Sequence, residues 1–363
     1  MSAGPGSWLS HVDLAGFTSF GVSARARFFA SLQQEDELPT LLQEADDKDL
    51  PVLILGGGSN VLLTADFPGL VIQMALTGIV VRPDPLSAEH FLVTAAAGEN
   101  WHALVEFCLR NQLVGLENLA LIPGSTGAAP VQNIGAYGVE LSDVLVSVRY
   151  FDRRTQQVHQ ITAEQCELSY RDSIFKHSLK HHAIILSVCL RLSKGAAPVI
   201  NYPALQQALL HSRRSATQPT SQPTSQPTPQ QVFDAVCAIR RSKLPDPQVL
   251  GNAGSFFRNP QVTLAHCERL QREWTDLPSY KTDSELTRKL PAAWLIEKAG
   301  WKGYRTGDAG VHAQQALVLV NYGEATGVQL VDLARKIAAS VQQRFDITLE
   351  PEVNILPASV WHA

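Results

Sequence analysis

The segment PVLILGGGSN, residues 51–60, decides the fold class because a short apolar run leads directly into three glycines. Pro51–Leu55 predicts a strand, and Gly56–Asn60 predicts the loop that follows it. Glycines tolerate unusual dihedrals and leave no side chain in the way, so this loop can bring backbone N–H groups close to a phosphate. Read alone, the segment fits a structural turn equally well.

Neither of two common nucleotide fingerprints explains this loop. Val61 stands where the Rossmann fingerprint G-x-G-x-x-G has its last glycine, and no G-x-x-x-x-G-K-[ST] occurs in the chain. A second and longer stretch of small residues spans 123–138. Its hydroxyl and amide side chains offer hydrogen bonds, and Tyr137 offers a planar face to a ligand. Two glycine loops in one domain favour a dinucleotide whose diphosphate lies between them.

The first two thirds of the chain predict an α+β arrangement. Apolar segments at residues 70–72, 91–93 and 183–186 predict strands, and residues 101–110 predict a helix. Two further patterns predict helices, one at residues 231–241 and one over 330–345, where apolar residues recur at i, i+4 and i+7.

Residues 211–231 read as a low-complexity linker in which TSQP recurs and almost no apolar residue could anchor a core. The simplest interpretation is that this linker connects two parts of the chain and has no role in chemistry. We expect a C-terminal domain to begin at residue 232.

The bulk composition bounds the function. The chain has 363 residues, a formal net charge of -4 and 45% hydrophobic residues, which predicts a globular protein of roughly two or three domains without an overall field that attracts nucleic acid. The N-terminus lacks a signal-peptide pattern and no stretch is as long as a membrane span, so we expect a cytoplasmic protein. Five scattered cysteines without a C-x-x-C pair predict free thiols and no metal site.

Three segments carry side chains suited to chemistry. Arg171 lies in YRDSIFK, residues 170–176; Ser255 lies in a glycine turn, GNAGSFFRNP, residues 251–260; and alternation over 347–355 places Glu350 and Glu352 on one face. Ser255 lacks the G-x-S-x-G context of an acyl-transfer nucleophile. Each residue also has a purely structural interpretation: a surface ion pair for Arg171, a capped turn for Ser255 and a strand-end carboxylate for Glu352.

Six motifs in order resemble the UDP-N-acetylenolpyruvoylglucosamine reductases: LILGGGSNVL, ALIPGSTGAAPVQNIGAYGVEL, YRDSIFKH, KLPDP, GNAGSFFRNP and LEPEV. The resemblance spans roughly residues 15–355. It implies an α+β fold with a two-subdomain FAD-binding module of the vanillyl-alcohol-oxidase (PCMH) type and a C-terminal α+β substrate-binding domain. The implied boundaries are 1–79 with the tail 355–363 for the first subdomain, 80–210 for the second, 211–231 for the linker and 232–354 for the substrate domain.

The resemblance implies that FAD is the resident cofactor, that NADPH reduces it, and that UDP-N-acetylglucosamine enolpyruvate is then reduced to UDP-N-acetylmuramate for peptidoglycan synthesis. We expect the protein to be a monomer. By the same resemblance, these residues bind the cofactor: Leu55, Gly56, Gly57, Gly58, Ser59, Asn60, Pro123, Gly124, Ser125, Thr126, Gly127, Gln132, Asn133, Gly135, Ala136 and Tyr137. The implied substrate-binding residues are Tyr170, Tyr202, Lys243, Asn259 and Gln315. The position of Tyr202 resembles that of a tyrosine in the type I branch of the family, which carries it on a loop that closes over substrate.

The implied catalytic residues are Arg171, Ser255 and Glu352. Arg171 and Glu352 would polarise the substrate carboxylate, and Ser255 would give its hydroxyl proton to C2. A charged Glu352 would repel the developing anion, so it is either protonated or acts by orienting Arg171. Two alternative functions remain: a flavin-dependent sugar or alcohol oxidase of the same superfamily, and a nucleotide-sugar binding protein without turnover.

Overall fold

The structure is a computed structural model that describes residues 8–215, 226–282 and 284–362. The strands are β1 (Leu9–Asp13), β2 (Arg25–Leu32), β3 (Val52–Leu55), β4 (Val61–Leu63), β5 (Phe67–Met74), β6 (Ile79–Asp84), β7 (Ser87–Ala96), β8 (Leu113–Val114), β9 (Gly135–Ala136), β10 (Val139–Glu140), β11 (Leu145–Asp152), β12 (Gln157–Thr162), β13 (Ala183–Lys194), β14 (Gly251–Ser255), β15 (Gln261–Thr263), β16 (Tyr280–Lys281), β17 (Thr287–Lys289), β18 (Arg305–Thr306), β19 (Ala309–Val311), β20 (Val318–Asn321) and β21 (Asn354–Leu356). The α-helices are α1 (Leu38–Asp47), α2 (Trp101–Arg110), α3 (Pro203–Ser215), α4 (Pro229–Lys243), α5 (Leu264–Glu273), α6 (Ala292–Lys298), α7 (Gly327–Phe345) and α8 (Ser359–His362).

The chain divides into two compact units. Unit 1 comprises the described residues of Met1–Ser10, Phe28–Gly57 and Gly69–Ser242, and unit 2 comprises those of His11–Arg27, Gly58–Pro68 and Lys243–Ala363. The chain therefore passes between the units several times.

An antiparallel sheet with the order β12-β11-β13-β7-β6 forms the centre of unit 1, and β8 pairs with β13. Val188 of β13 pairs with Val148 on one side and Ala95 on the other, and all three residues are buried. In a separate sheet, β3 and β5 run parallel. The strands predicted at 51–55, 70–72, 91–93 and 183–186 lie in β3, β5, β7 and β13, which confirms these predictions.

The helix predicted at 101–110 is confirmed as α2. Asn100 caps it, because the Asn100 side chain accepts a hydrogen bond of 2.9 Å from Ala103 N–H. Trp101, Leu104 and Val105 are buried in the core of unit 1.

Helix α7 dominates unit 2 and confirms the pattern over 330–345, since Leu330, Ala334 and Ile337 are buried together in the core. An antiparallel sheet with the order β14-β20-β19-β18 belongs to the same unit. Strand β21 pairs in parallel with β4, with Ile355 opposite Leu62.

The boundaries of these units differ from the predicted domains. Val232, Ala235 and Val236 on α4 are buried in the core of unit 1, and the last segment of unit 2 begins at Lys243, whereas the predicted boundary is residue 232. The tail after β21 falls in unit 2. Helices α3 and α4 also extend into both ends of the predicted linker, and its residues 216–225 lie outside the described part of the chain.

Within the described residues, no helix is long and apolar enough to span a membrane, and no group of three His, Cys, Asp or Glu side chains is arranged to hold a metal. All five cysteines are free thiols.

Candidate active site

The two glycine loops touch within unit 1. A Cβ atom added to Gly57 would lie 2.8 Å from Gly124 Cα, and one added to Gly56 would lie 2.3 Å from Ser125 Oγ. At Gly57 the short contact is with backbone and excludes a side chain, whereas at Gly56 the Ser125 hydroxyl would have to move. The structure therefore brings together two loops that the sequence separates by more than sixty residues.

Hydrogen bonds to the start of α2 and to the end of β7 hold the second loop. Trp101 N–H donates to Gly124 O at 3.0 Å, Thr126 N–H donates to Glu99 O at 2.8 Å, and Gly127 N–H donates to Ala97 O at 2.8 Å. Ser125 and Thr126 are buried. The loop is a rigid small-residue surface, as a closely bound dinucleotide requires.

The first loop is divided between the units, since Gly58, Ser59 and Asn60 belong to unit 2. Gly58 has φ +59°, and a Cβ there would lie 1.9 Å from Phe17 O. The Asn60 side-chain amide donates to Glu352 O at 3.2 Å. Predicted as a cofactor residue, Asn60 also supports the segment that carries Glu352.

Arg171 occupies a tight turn in unit 1. Ser169 and Asp172 close this turn through two backbone hydrogen bonds of 3.1 and 3.2 Å. Arg171 has φ +55°, in the left-handed region that costs a non-glycine residue roughly 1–2 kcal/mol. Its guanidinium donates to Asn133 O at 3.3 Å and to Gly135 O at 2.9 Å. The two carbonyls orient the cationic group, and the Arg171 guanidinium also lies 5.4 Å from the centre of the Tyr170 ring.

Asn133 joins this turn to the second glycine loop. Its side-chain amide donates to Glu140 Oε2 at 2.9 Å and to Ser169 O at 3.2 Å, and its Oδ1 accepts from Ser142 N–H at 3.0 Å. Asn133 is buried. Since these bonds engage both ends of its amide, Asn133 holds protein segments together within the loop predicted to bind cofactor.

Tyr137 and Tyr202 meet in unit 1, with ring centres 5.4 Å apart in an edge-to-face arrangement. Buried Asn118 donates one hydrogen bond to Tyr137 O and another to Val199 O, each 2.9 Å long. Asn118 thus ties the glycine loop to the segment before Tyr202, and sequence analysis did not identify it.

Arg240 is a second residue that sequence analysis missed. Its Nε is buried without a hydrogen-bond partner among the described residues, and Tyr137 interacts electrostatically with its guanidinium. Burial lowers the pKa of the Arg240 guanidinium, and Tyr137 opposes this shift. The signal was in the helix period: Val232, Val236 and Arg240 lie four residues apart, so Arg240 continues the apolar face of α4.

Ser255 and Glu352 lie on neighbouring backbones in unit 2. Gly254, at φ +69°, precedes Ser255, and its N–H donates to Asn252 Oδ1 at 2.9 Å. Glu352 N–H donates to Phe256 O at 2.8 Å, next to Ser255. Glu350 is exposed, whereas Glu352 is half-buried.

Of the alternating segment 347–355, only residues 354 and 355 lie in a strand, β21. Pro351 makes an isolated bridge with Phe257, and proline supplies no N–H for a longer ladder. Burial still alternates, with Leu349 and Val353 buried.

The remaining predicted substrate residues are distributed over both units. Lys243 ends α4 and is exposed, as is Tyr202. Asn259 Oδ1 accepts from Ala292 N–H at 2.9 Å and so supports the start of α6. Gln315 is half-buried, and its carbonyl accepts from Val318 N–H at 3.0 Å.

Comparison with known proteins defines the class. Residues 26–160 match the FAD binding domain family, and residues 246–356 match the C-terminal domain of UDP-N-acetylenolpyruvoylglucosamine reductase. The two glycine loops fit FAD, because their backbones touch at Gly57 and Gly124 and form a surface without side chains. The chain is an FAD-containing oxidoreductase.

The curated relatives define the family. The chain is 45% identical over 349 residues to UDP-N-acetylenolpyruvoylglucosamine reductase of Pseudomonas putida, covering 96% of this chain and 98% of the relative. It is 48% identical over 349 residues to that of Chromobacterium violaceum, covering 95% and 98%. The chain belongs to the UDP-N-acetylenolpyruvoylglucosamine reductase family, which confirms the resemblance.

Two solved structures share the fold. The Thermus caldophilus UDP-N-acetylenolpyruvylglucosamine reductase has a TM-score of 0.63 at 22% identity, covering 97% of this chain and 98% of its own. The 6-hydroxy-D-nicotine oxidase of Arthrobacter nicotinovorans has a TM-score of 0.52 at 14% identity, covering 96% and 88%. They confirm the predicted α+β fold class, and the two family matches supply its FAD-binding and C-terminal domains.

Proposed function

We propose that this chain catalyses the NADPH-dependent reduction of UDP-N-acetylglucosamine enolpyruvate to UDP-N-acetylmuramate, a precursor of peptidoglycan. The observation that carries the proposal is the 45–48% identity to named reductases over almost the whole length of both chains. FAD, which the loops at 55–60 and 123–137 would hold, would supply the transfer of hydride from NADPH to C3 of the enolpyruvyl group. The chain's own residues supply the charge and the proton that this transfer needs.

Arg171 binds the substrate carboxylate in this proposal. Hydride addition at C3 moves negative charge onto C2 and its carboxylate, and a planar guanidinium can meet that charge with two parallel hydrogen bonds. Support comes from the turn, in which the carbonyls of Asn133 and Gly135 fix the orientation of the guanidinium before substrate arrives.

Ser255 gives its hydroxyl proton to C2. The left-handed Gly254 and the hydrogen bond from Gly254 N–H to Asn252 set the direction of the backbone at Ser255. Glu352, on the adjoining segment, acts on the carboxylate end. A charged Glu352 would repel the enolate, so the role requires a protonated carboxyl group or one that acts through a hydrogen bond.

The cofactor and substrate residues follow from the family positions. The loops at 55–60 and 123–137 hold FAD, Lys243 supplies a point charge for diphosphate, and Tyr170, Tyr202, Asn259 and Gln315 contact the substrate. We add Arg240, because a buried guanidinium with an unpaired Nε is costly unless an anion approaches it. We also propose a monomer in the cytoplasm, where NADPH and nucleotide sugars are available.

Product analysis tests the proposal. Incubation with NADPH and the enolpyruvyl nucleotide sugar is expected to give a product heavier by two hydrogen atoms, with one NADPH consumed per product, as seen by mass spectrometry and absorbance. UDP-N-acetylglucosamine, which lacks the enolpyruvyl group, is the matched control and should be unchanged. Oxygen uptake driven by a sugar or alcohol, with no reduced enolpyruvyl product, would contradict the proposal and favour the oxidase.

A further inference from the structure

The Ser169–Asp172 turn presents Arg171 in a backbone conformation that L-residues seldom adopt. The residue has φ +55°, although no glycine occupies the position. Such conformations persist when the surrounding structure over-determines them, and they concentrate at functional sites. The contacts that hold Arg171 in this backbone conformation therefore help to set the direction of its side chain.

Three residues outside the turn, Asn133, Gly135 and Lys176, hold it in place. The carbonyls of Asn133 and Gly135 accept hydrogen bonds from the Arg171 guanidinium, and the Asn133 amide donates to Ser169 O at 3.2 Å. On the backbone of Arg171 itself, the Lys176 ammonium donates to the carbonyl oxygen at 2.8 Å. This bond acts on the peptide unit that follows the left-handed residue.

The backbone of Lys176 is held firmly in place. It lies in a short 3-10 turn, Ile174–Lys176, which Ser173 begins by accepting from Phe175 N–H at 3.3 Å. Ser173 Oγ also donates to Val131 O at 2.7 Å, and Phe175 is buried against Tyr150, with ring centres 6.1 Å apart. The hydrogen bond from the Lys176 ammonium to the Arg171 carbonyl is charge-assisted, and such bonds are stronger than those between neutral groups.

We propose that Lys176 is a positioning residue for Arg171, whose left-handed backbone it holds through the ammonium–carbonyl hydrogen bond so that the guanidinium stays aimed. The inference rests on the proposed role of Arg171 in binding the substrate carboxylate. Lys176 itself need not touch substrate. Its removal should therefore impair only the step that uses Arg171.

The variant Lys176→Met tests this idea in the FAD-loaded enzyme. Flavin bleaching by NADPH should keep its rate, whereas reoxidation by the enolpyruvyl nucleotide sugar should slow by about 10- to 100-fold, since a misplacement near 1 Å can cost about 100-fold. Hydrogen exchange in a peptide covering residues 168–175 should become faster. Lys176→Arg, which retains a cationic donor, should recover part of the reoxidation rate.

Lys180→Met is the matched control, because it removes the same charge from an exposed position four residues away. It should match wild type in every readout. Unchanged reoxidation and exchange in Lys176→Met would overturn the proposal, and equal loss of both half-reactions with a lower melting temperature would replace it with a purely structural role. If wild type is not reoxidised by the enolpyruvyl sugar, the proposed function fails, while the exchange comparison still decides the positioning role.

Discussion

Asn133 shows how single side chains shape the candidate site. The sequence predicted it as a cofactor residue from its place in a glycine-rich stretch, and the structure shows its amide bonded to Glu140, Ser142 and Ser169. These bonds join segments up to 36 residues apart. Composition can indicate that a loop binds something, but the partner of a buried amide depends on long-range folding.

Ser255 gives the sharpest functional prediction at this scale. Ser255→Ala should leave bleaching by NADPH intact and slow reoxidation by the enolpyruvyl substrate at least about 10²–10³-fold, because the proton donor to C2 is lost. Anaerobic stopped-flow absorbance measures both half-reactions.

The control for that variant is Ser178→Ala, at an exposed serine in unit 1, which should react like wild type. Equal slowing of both half-reactions by Ser255→Ala would argue instead for a role in folding or in FAD binding.

Asp152, which is buried at the end of β11, gives a pH-dependent prediction. Hydrogen bonds from the Arg154 side chain lower the pKa of this carboxyl group from 3.8 to about 2. A lowered pKa in the folded state stabilises the protein above pH 3.8, and this contribution is lost as the pH falls toward 2. Arg154→Met should therefore lower the melting temperature at neutral pH, and its difference from wild type should narrow below pH 3.8.

Thermal unfolding at several pH values checks this prediction. Arg82→Met, at an exposed position on β6, is the charge-matched control and should show no such narrowing. A constant difference between Arg154→Met and wild type across the whole range would contradict the assignment.

At the scale of elements, local patterns predicted strands and helices well. Helix α2 has the bounds that the sequence predicted, since Asn100 provides a cap and the apolar residues recur with the helical period. Helix α4 was predicted at residues 231–241, yet its place in the unit 1 core was not foreseen. An apolar face indicates that a helix is buried, but it does not identify which core receives it.

The contact between the two glycine loops gives an element-scale prediction. Gly57→Ala should weaken FAD retention and destabilise the protein by about 1–3 kcal/mol, because the added Cβ would meet Gly124 Cα at 2.8 Å. Flavin absorbance after gel filtration and urea unfolding measure the two effects.

Gly16→Ala is the matched control, since a Cβ there meets no atom within 4 Å. Wild-type flavin content and stability in Gly57→Ala would contradict the close approach of the two loops.

For the whole molecule, the sequence predicted the α+β class and the family. It did not predict how the chain divides into the two units. The segments 11–27 and 58–68 belong to unit 2 although they lie within the first 79 residues. Periodicity reports local structure, so a chain that passes repeatedly between two cores leaves little trace in the sequence. Six ordered motifs supplied the function, because their order samples the whole chain.

The most direct measurement is the visible absorbance spectrum of the purified protein, followed without oxygen through addition of NADPH and then of the enolpyruvyl nucleotide sugar. We predict flavin bands that bleach with NADPH and return with that sugar, but not with UDP-N-acetylglucosamine. A protein that cannot bind FAD, or a reduced flavin that the enolpyruvyl sugar leaves bleached, would contradict the account.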